Sequence, residues 1–67
     1  MIPPVPMRLD LAARFCKATS VSYSEGDNAW LVGVQGGYRP PAWVLVYPHE
    51  IPFVTGERLR ERLELAR

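Results

Sequence analysis

The stretch Ala42-Trp43-Val44-Leu45-Val46-Tyr47 carries no charge and is dense in β-branched and aromatic residues. Such residues fit a pleated, packed surface, so the run predicts a β-strand. Pro40 and Pro41 precede it and Pro48 follows it. Proline cannot donate to a ladder and belongs at strand ends and edges, so these three bound the strand. A strand apolar on both faces needs cover on both sides, and a chain of only 67 residues has to supply it.

Working back toward the N-terminus, Gln35–Pro41 is a Gly/Pro-rich loop, and Ala29–Val34 (Ala-Trp-Leu-Val-Gly-Val) is a second uncharged strand. Thr19–Ser24 alternates, with Val21 and Tyr23 on one side and Ser20, Ser22 and Ser24 on the other. Period two with a polar face predicts a half-exposed strand at a sheet edge. Glu25-Gly26-Asp27-Asn28 between them is a turn signal and predicts a hairpin. Arg8–Ala18 reads as a helix with Leu9, Ala12, Ala13 and Cys16 on one stripe, widened by Leu11 and Phe15. Met1–Met7 holds three prolines and predicts an extended arm.

Downstream, Pro48 and Pro52 predict an irregular segment over Pro48–Val54. Thr55 then has the chemistry of a helix N-cap, and Val54 with Leu59 that of a hydrophobic staple. Leu59, Leu63 and Ala66 form the apolar stripe of this last helix, opposite Arg58, Arg60, Glu61, Arg62 and Glu64. The order helix, strand, strand, strand, helix predicts one small α+β domain. Its three-stranded antiparallel sheet, in strand order 1-2-3, would carry both helices on one face.

Two short helices cover one face of such a sheet. The later strands offer Ala29, Leu31 and Gly33 or Trp30, Val32 and Val34 to that face, and the third offers Trp43, Leu45 and Tyr47 or Ala42, Val44 and Val46. A one-residue slip exchanges these sets, so the register stays open. In either register apolar side chains remain on the uncovered face. Such a patch marks a partner or self-association surface, unless the Pro-rich arm folds over it.

The formal net charge is +1, with eight basic and seven acidic residues, seven of the basic ones arginine. This balance argues against non-specific nucleic-acid binding. One cysteine and one histidine exclude an internal disulfide and a Cys/His zinc site, and no metal or cofactor is expected. No apolar run is long enough for a membrane span, and the first residues lack signal-peptide features, so a cytoplasmic chain is expected. His49 and Glu50 are neighbours in an extended segment and would point apart. The serines lack a nucleophile-elbow context, and Gly33-Val-Gln-Gly36-Gly37 opens no helix. No catalytic constellation emerges, and a non-enzymatic protein is expected. Trp30, Tyr38, Arg39, Trp43 and Tyr47 are the candidate contact residues, being aromatic and arginine anchors of the kind that dominate binding hot spots.

Gly26 ahead of the second strand, Val46-Tyr47-Pro48-His49 closing the third and Gly56-Glu57-Arg58-Leu59 opening the last helix carry a resemblance. Together with the element order, they resemble the small HicA-type toxins of toxin–antitoxin pairs, which have a fold similar to the double-stranded-RNA-binding domain. The resemblance implies that fold. In the family a catalytic histidine follows the glycine, whereas Asp27-Asn28 stand there in this chain, so it does not imply ribonuclease activity. The expectation is a small binding module for a protein partner, of the regulator or inhibitor kind carried by phage and other mobile elements. An RNA-binding or toxin-like domain and a structural homo-oligomer subunit are the alternatives.

Overall fold

The computed structural model of the chain describes residues 3–36 and 40–66. The elements are α1 (Met7–Phe15), β1 (Ser20–Ser24), β2 (Ala29–Val34), β3 (Ala42–Val46), a 3₁₀ helix (Pro48–Phe53) and α2 (Gly56–Leu65). The strands form one antiparallel sheet in the order β1-β2-β3. The predicted α+β architecture with a three-stranded antiparallel sheet is the observed one.

The register is set by Ser24 opposite Ala29 and Tyr23 opposite Trp30, with Trp30 opposite Val46 and Gly33 opposite Trp43. Residues opposite one another share a face. One face therefore carries Val21, Tyr23, Trp30, Val32, Val34, Ala42, Val44 and Val46. The core joins most of these to Leu9, Ala12 and Ala13 of α1, Val54, and Leu59 and Leu63 of α2. Both helices thus pack on this side. Tyr23 meets Trp30 edge to face, with ring centroids 5.2 Å apart.

α1 is shorter at its C-terminus than the predicted Arg8–Ala18, and it starts one residue earlier. Its end is a Schellman turn: Ala18 N donates to Ala13 O (3.0 Å) and Lys17 N to Arg14 O (3.1 Å). Lys17 takes the left-handed conformation this closure needs, with φ 57°. Leu9, Ala12 and Ala13 are buried as expected. Leu11 and Phe15 do not widen the buried stripe but are exposed to 61% and 54%. Pro3, Pro4 and Val5 of the arm are exposed too, and Pro6 is half-buried.

Pro48–Phe53 is a 3₁₀ helix rather than the irregular segment expected. Pro48 lies in its first turn, where a missing N–H costs nothing, and Glu50 N donates to Tyr47 O (2.9 Å). α2 starts as predicted, with Thr55 Oγ1 accepting from Arg58 N (3.1 Å). Val54 and Leu59 of the staple are both buried, whereas Ala66 falls at the C-cap and is exposed. Arg62 ties three elements together. Its Nη1 meets Glu50 Oε2 of the 3₁₀ helix at 2.6 Å, and its Nη2 donates to Leu45 O of β3 at 2.7 Å.

The helices meet at Gly56. A Cβ built there would lie 2.4 Å from Cγ and Cδ1 of Phe15 and 2.7 Å from its Cβ. The near atoms lie at the root of the side chain, so Phe15 cannot swing clear without moving α1. Gly56→Ala should lower stability by about 1–3 kcal/mol, read as a lower urea midpoint.

Candidate interaction surface

The face away from the helices is built from the other half of each strand. β1 contributes Ser20, Ser22 and Ser24, β2 Ala29, Leu31 and Gly33, and β3 Trp43 and Leu45. Tyr47 follows β3 in extended backbone (φ −82°, ψ 152°), which keeps the alternation and puts it on this side as well. None of these residues is charged. Trp43 is 43% and Tyr47 37% exposed, with Leu31 and Leu45 half-buried between them.

Trp43 is held in place by a glycine. A Cβ added to Gly33 would lie 2.1 Å from Cζ3 and 2.2 Å from Cε3 of the indole. The ring therefore lies on the bare backbone of the central strand. Ser20 is the next residue in the same row, and its Oγ is enclosed with no hydrogen-bond partner. Tyr47 stacks on His49, with centroids 5.9 Å apart and planes 19° apart. The β3 row thus has Trp43 at one end and the Tyr47–His49 stack at the other, with Leu45 between.

The predicted contact residues separate. Trp43 and Tyr47 share the open face. Trp30 is on the opposite side, 4% exposed in the core beneath the helices. Tyr38 and Arg39 lie outside the described residues. Leu31 and Leu45 belong to the surface but were not singled out, because periodicity alone left two parities. The four-residue turn after Ser24 is a signal that chooses the parity of Leu31, whereas that of Leu45 depends on the second connection.

The helix layer carries exposed apolar groups of its own. Met7, Leu11 and Phe15, four residues apart on α1, line a cleft of about 860 Å³ against Val54, Thr55 and Gly56 at the start of α2. The guanidinium of Arg60 lies 5.4 Å from the Phe15 ring centroid. A smaller cleft of about 360 Å³ runs between the 3₁₀ helix and α2, beside His49, Phe53, Arg58 and Arg62.

Among the described residues the candidate polar side chains are exposed or already paired. His49 is exposed, and Glu50 beside it is engaged by Arg62 instead. Asp27 and Asn28 are taken up within the hairpin, Asp27 by Ser24 Oγ (2.8 Å) and Asn28 by the Tyr23 hydroxyl. Cys16 donates its thiol to Gly56 O at 3.2 Å. Burial pushes this thiol up from its ordinary value, with Arg60 partly offsetting the shift. Among the described residues no three His, Cys, Asp or Glu side chains are grouped to hold a metal, and no helix is long and apolar enough to cross a membrane. Comparison with known protein families, with curated proteins and with solved structures gave no match.

Three outcomes follow from the seat of Trp43 and the burial of Cys16. Gly33→Ala should cost about 1–3 kcal/mol, because its methyl displaces the indole, and most of that cost should vanish in the Trp43→Ala background of a double-mutant cycle. Burial favours the protonated thiol of Cys16, so its alkylation at alkaline pH should run slower in the folded chain than in urea. Proton release at Cys16 also opposes folding, so stability should fall as pH rises through the ordinary thiol range.

Proposed function

We propose that this chain is a non-enzymatic binding module that engages a protein partner through the open face of its sheet, in the manner of a small regulator or inhibitor. The observation that carries this reading is Trp43, a large aromatic ring left nearly half exposed yet seated on Gly33. Leu31 and Leu45 flank it, and Tyr47 extends the surface. Aromatic anchors of this kind dominate protein interfaces. A seated ring also loses less rotamer freedom on binding than a free one.

The charge pattern favours protein over nucleic acid. The described open face has no lysine or arginine to neutralise phosphates, and the arginines of α2 are interleaved with Glu57, Glu61 and Glu64. An RNA-binding or toxin-like role would need that basic contribution.

The test is affinity capture from cells that naturally contain the protein, run in parallel with the native chain and Trp43→Ala at low and high salt. The native chain should retain a protein whose binding barely responds to salt. Trp43→Ala should lose about 2 kcal/mol of binding, roughly 30-fold in Kd. Retention of RNA that is lost steeply with salt, or a protein held equally by both forms, would count against the reading.

A further inference from the structure

The two edges of the sheet are not alike. β3 is flanked by Pro40, Pro41 and Pro48, and its Leu45 carbonyl is occupied by Arg62. β1 has no such protection. Ser20-Val21-Ser22-Tyr23-Ser24 contains no charge and no proline, and it lies at the outside of the sheet. Every second residue along that side offers N–H and C=O groups to no strand among the described residues. Natural edges are normally blunted by a charge, a proline, a bulge or a covering loop, because such a row pairs readily with another strand.

The sequence of β1 says which strand fits. It reads almost the same in both directions. Two copies laid antiparallel about Ser22 would set Ser22 against Ser22, Ser20 against Ser24 and Val21 against Tyr23. Serine then faces serine on the open side. Valine faces tyrosine on the helix side, a favourable β-branched–aromatic pair. Shifting the pairing by one residue would set Tyr23 against Ser22 and put the two helix layers on opposite faces. Burial points the same way. Val21 and Tyr23 are only half-buried, whereas Trp30 and Val32 beside them are buried. They are the residues on the helix face that a second copy would cover.

We propose that two copies of this chain associate edge to edge through β1, antiparallel about Ser22, into a six-stranded sheet with both helix layers on one side. The contact uses a strand edge and does not rest on the open-face reading. Five residues form a small interface beside the roughly 800 Å² per partner of a standard one, so the association is weak.

Sedimentation equilibrium of the full chain, from about 10 µM to about 1 mM, tests it across the affinity range of a weak contact. The mass should rise with concentration from 7.6 kDa toward twice that value. Amide exchange within residues 20–24 should slow over the same range. Ser22→Lys opposes two ammonium groups at the two-fold axis and should weaken the dimer about tenfold or more, with an unchanged circular dichroism spectrum. Trp43→Ala should leave the dimer intact. A mass of 7.6 kDa at every concentration would overturn the proposal. So would a dimer that a folded Ser22→Lys chain keeps, or one that Trp43→Ala abolishes, which would move the contact to the open face. Should Ser22→Lys not fold, the exchange data on the native chain decide: protection in 20–24 that does not depend on concentration overturns the proposal.

Discussion

Four residues decide which half of the first two strands meets the helices. Glu25–Asn28 close the first hairpin, with Asn28 in the left-handed region at φ 50° and its N–H donating to Glu25 O at 3.3 Å. Asparagine tolerates that backbone well. The flanking side chains lock the turn, Ser24 to Asp27 and Tyr23 to Asn28. With Ser24 held opposite Ala29, Tyr23 must face Trp30; the second pairing then sets Trp30 opposite Val46. A slip of one residue would carry Leu31 and Gly33 into the core and turn Trp30 out to water. The two tryptophans therefore do different jobs because they differ in parity, although their local sequences are much alike.

The core that this register builds is thin. Its largest fully buried side chains are Leu9, Leu59, Val32 and Val46. Ala12, Ala13 and Ala42 are small, and they suit helices that lie close to a short sheet. A domain of this size buries little surface, so single ties matter more than they would in a larger one. Arg62 is such a tie, joining α2 to both the 3₁₀ helix and β3. Its pair with Glu50 is partly exposed and contributes modestly. Its bond to the Leu45 carbonyl is the more telling one, since it satisfies a group of an edge strand that would otherwise invite another chain.

Much of this was legible in the residues, and the parts that were not have physical reasons. The strands, the hairpin and the Thr55 cap follow from patterns whose causes are local. The end of α1 was not legible, because Lys17 takes a left-handed conformation that glycine or asparagine usually marks. Leu11 and Phe15 followed the helical period but lie outside it, since the alanines on the neighbouring stripe are what the sheet has room for. Pro52 argued against a helix, yet the 3₁₀ stretch is short, and its bonds from Glu50 N to Tyr47 O and from Val54 N to Ile51 O do not need the N–H that Pro52 lacks. Trp30 and Trp43 were both plausible contact residues until parity was fixed. The turn length and the Val21/Tyr23 alternation, taken together, carried the parity of Trp30, whereas that of Trp43 depends on the second connection.

Gly33 links the thin core to the open face. A glycine in a strand interior forfeits side-chain packing and costs conformational entropy, about 0.5–1 kcal/mol against alanine. The central strand of a small sheet is a poor place to carry that loss. A valine or threonine there would suit the strand better and would also cover its own backbone. It would lift the indole of Trp43 off the sheet, because the space a Cβ needs is the space the ring fills. The glycine and the tryptophan are therefore one device. The ring restores the packing that the missing side chain gives up, and it remains nearly half exposed. For folding alone, a β-branched residue opposite a smaller partner would serve as well and hide more apolar surface. What the pairing adds is an oriented aromatic face, and that is the property on which the proposed contact depends.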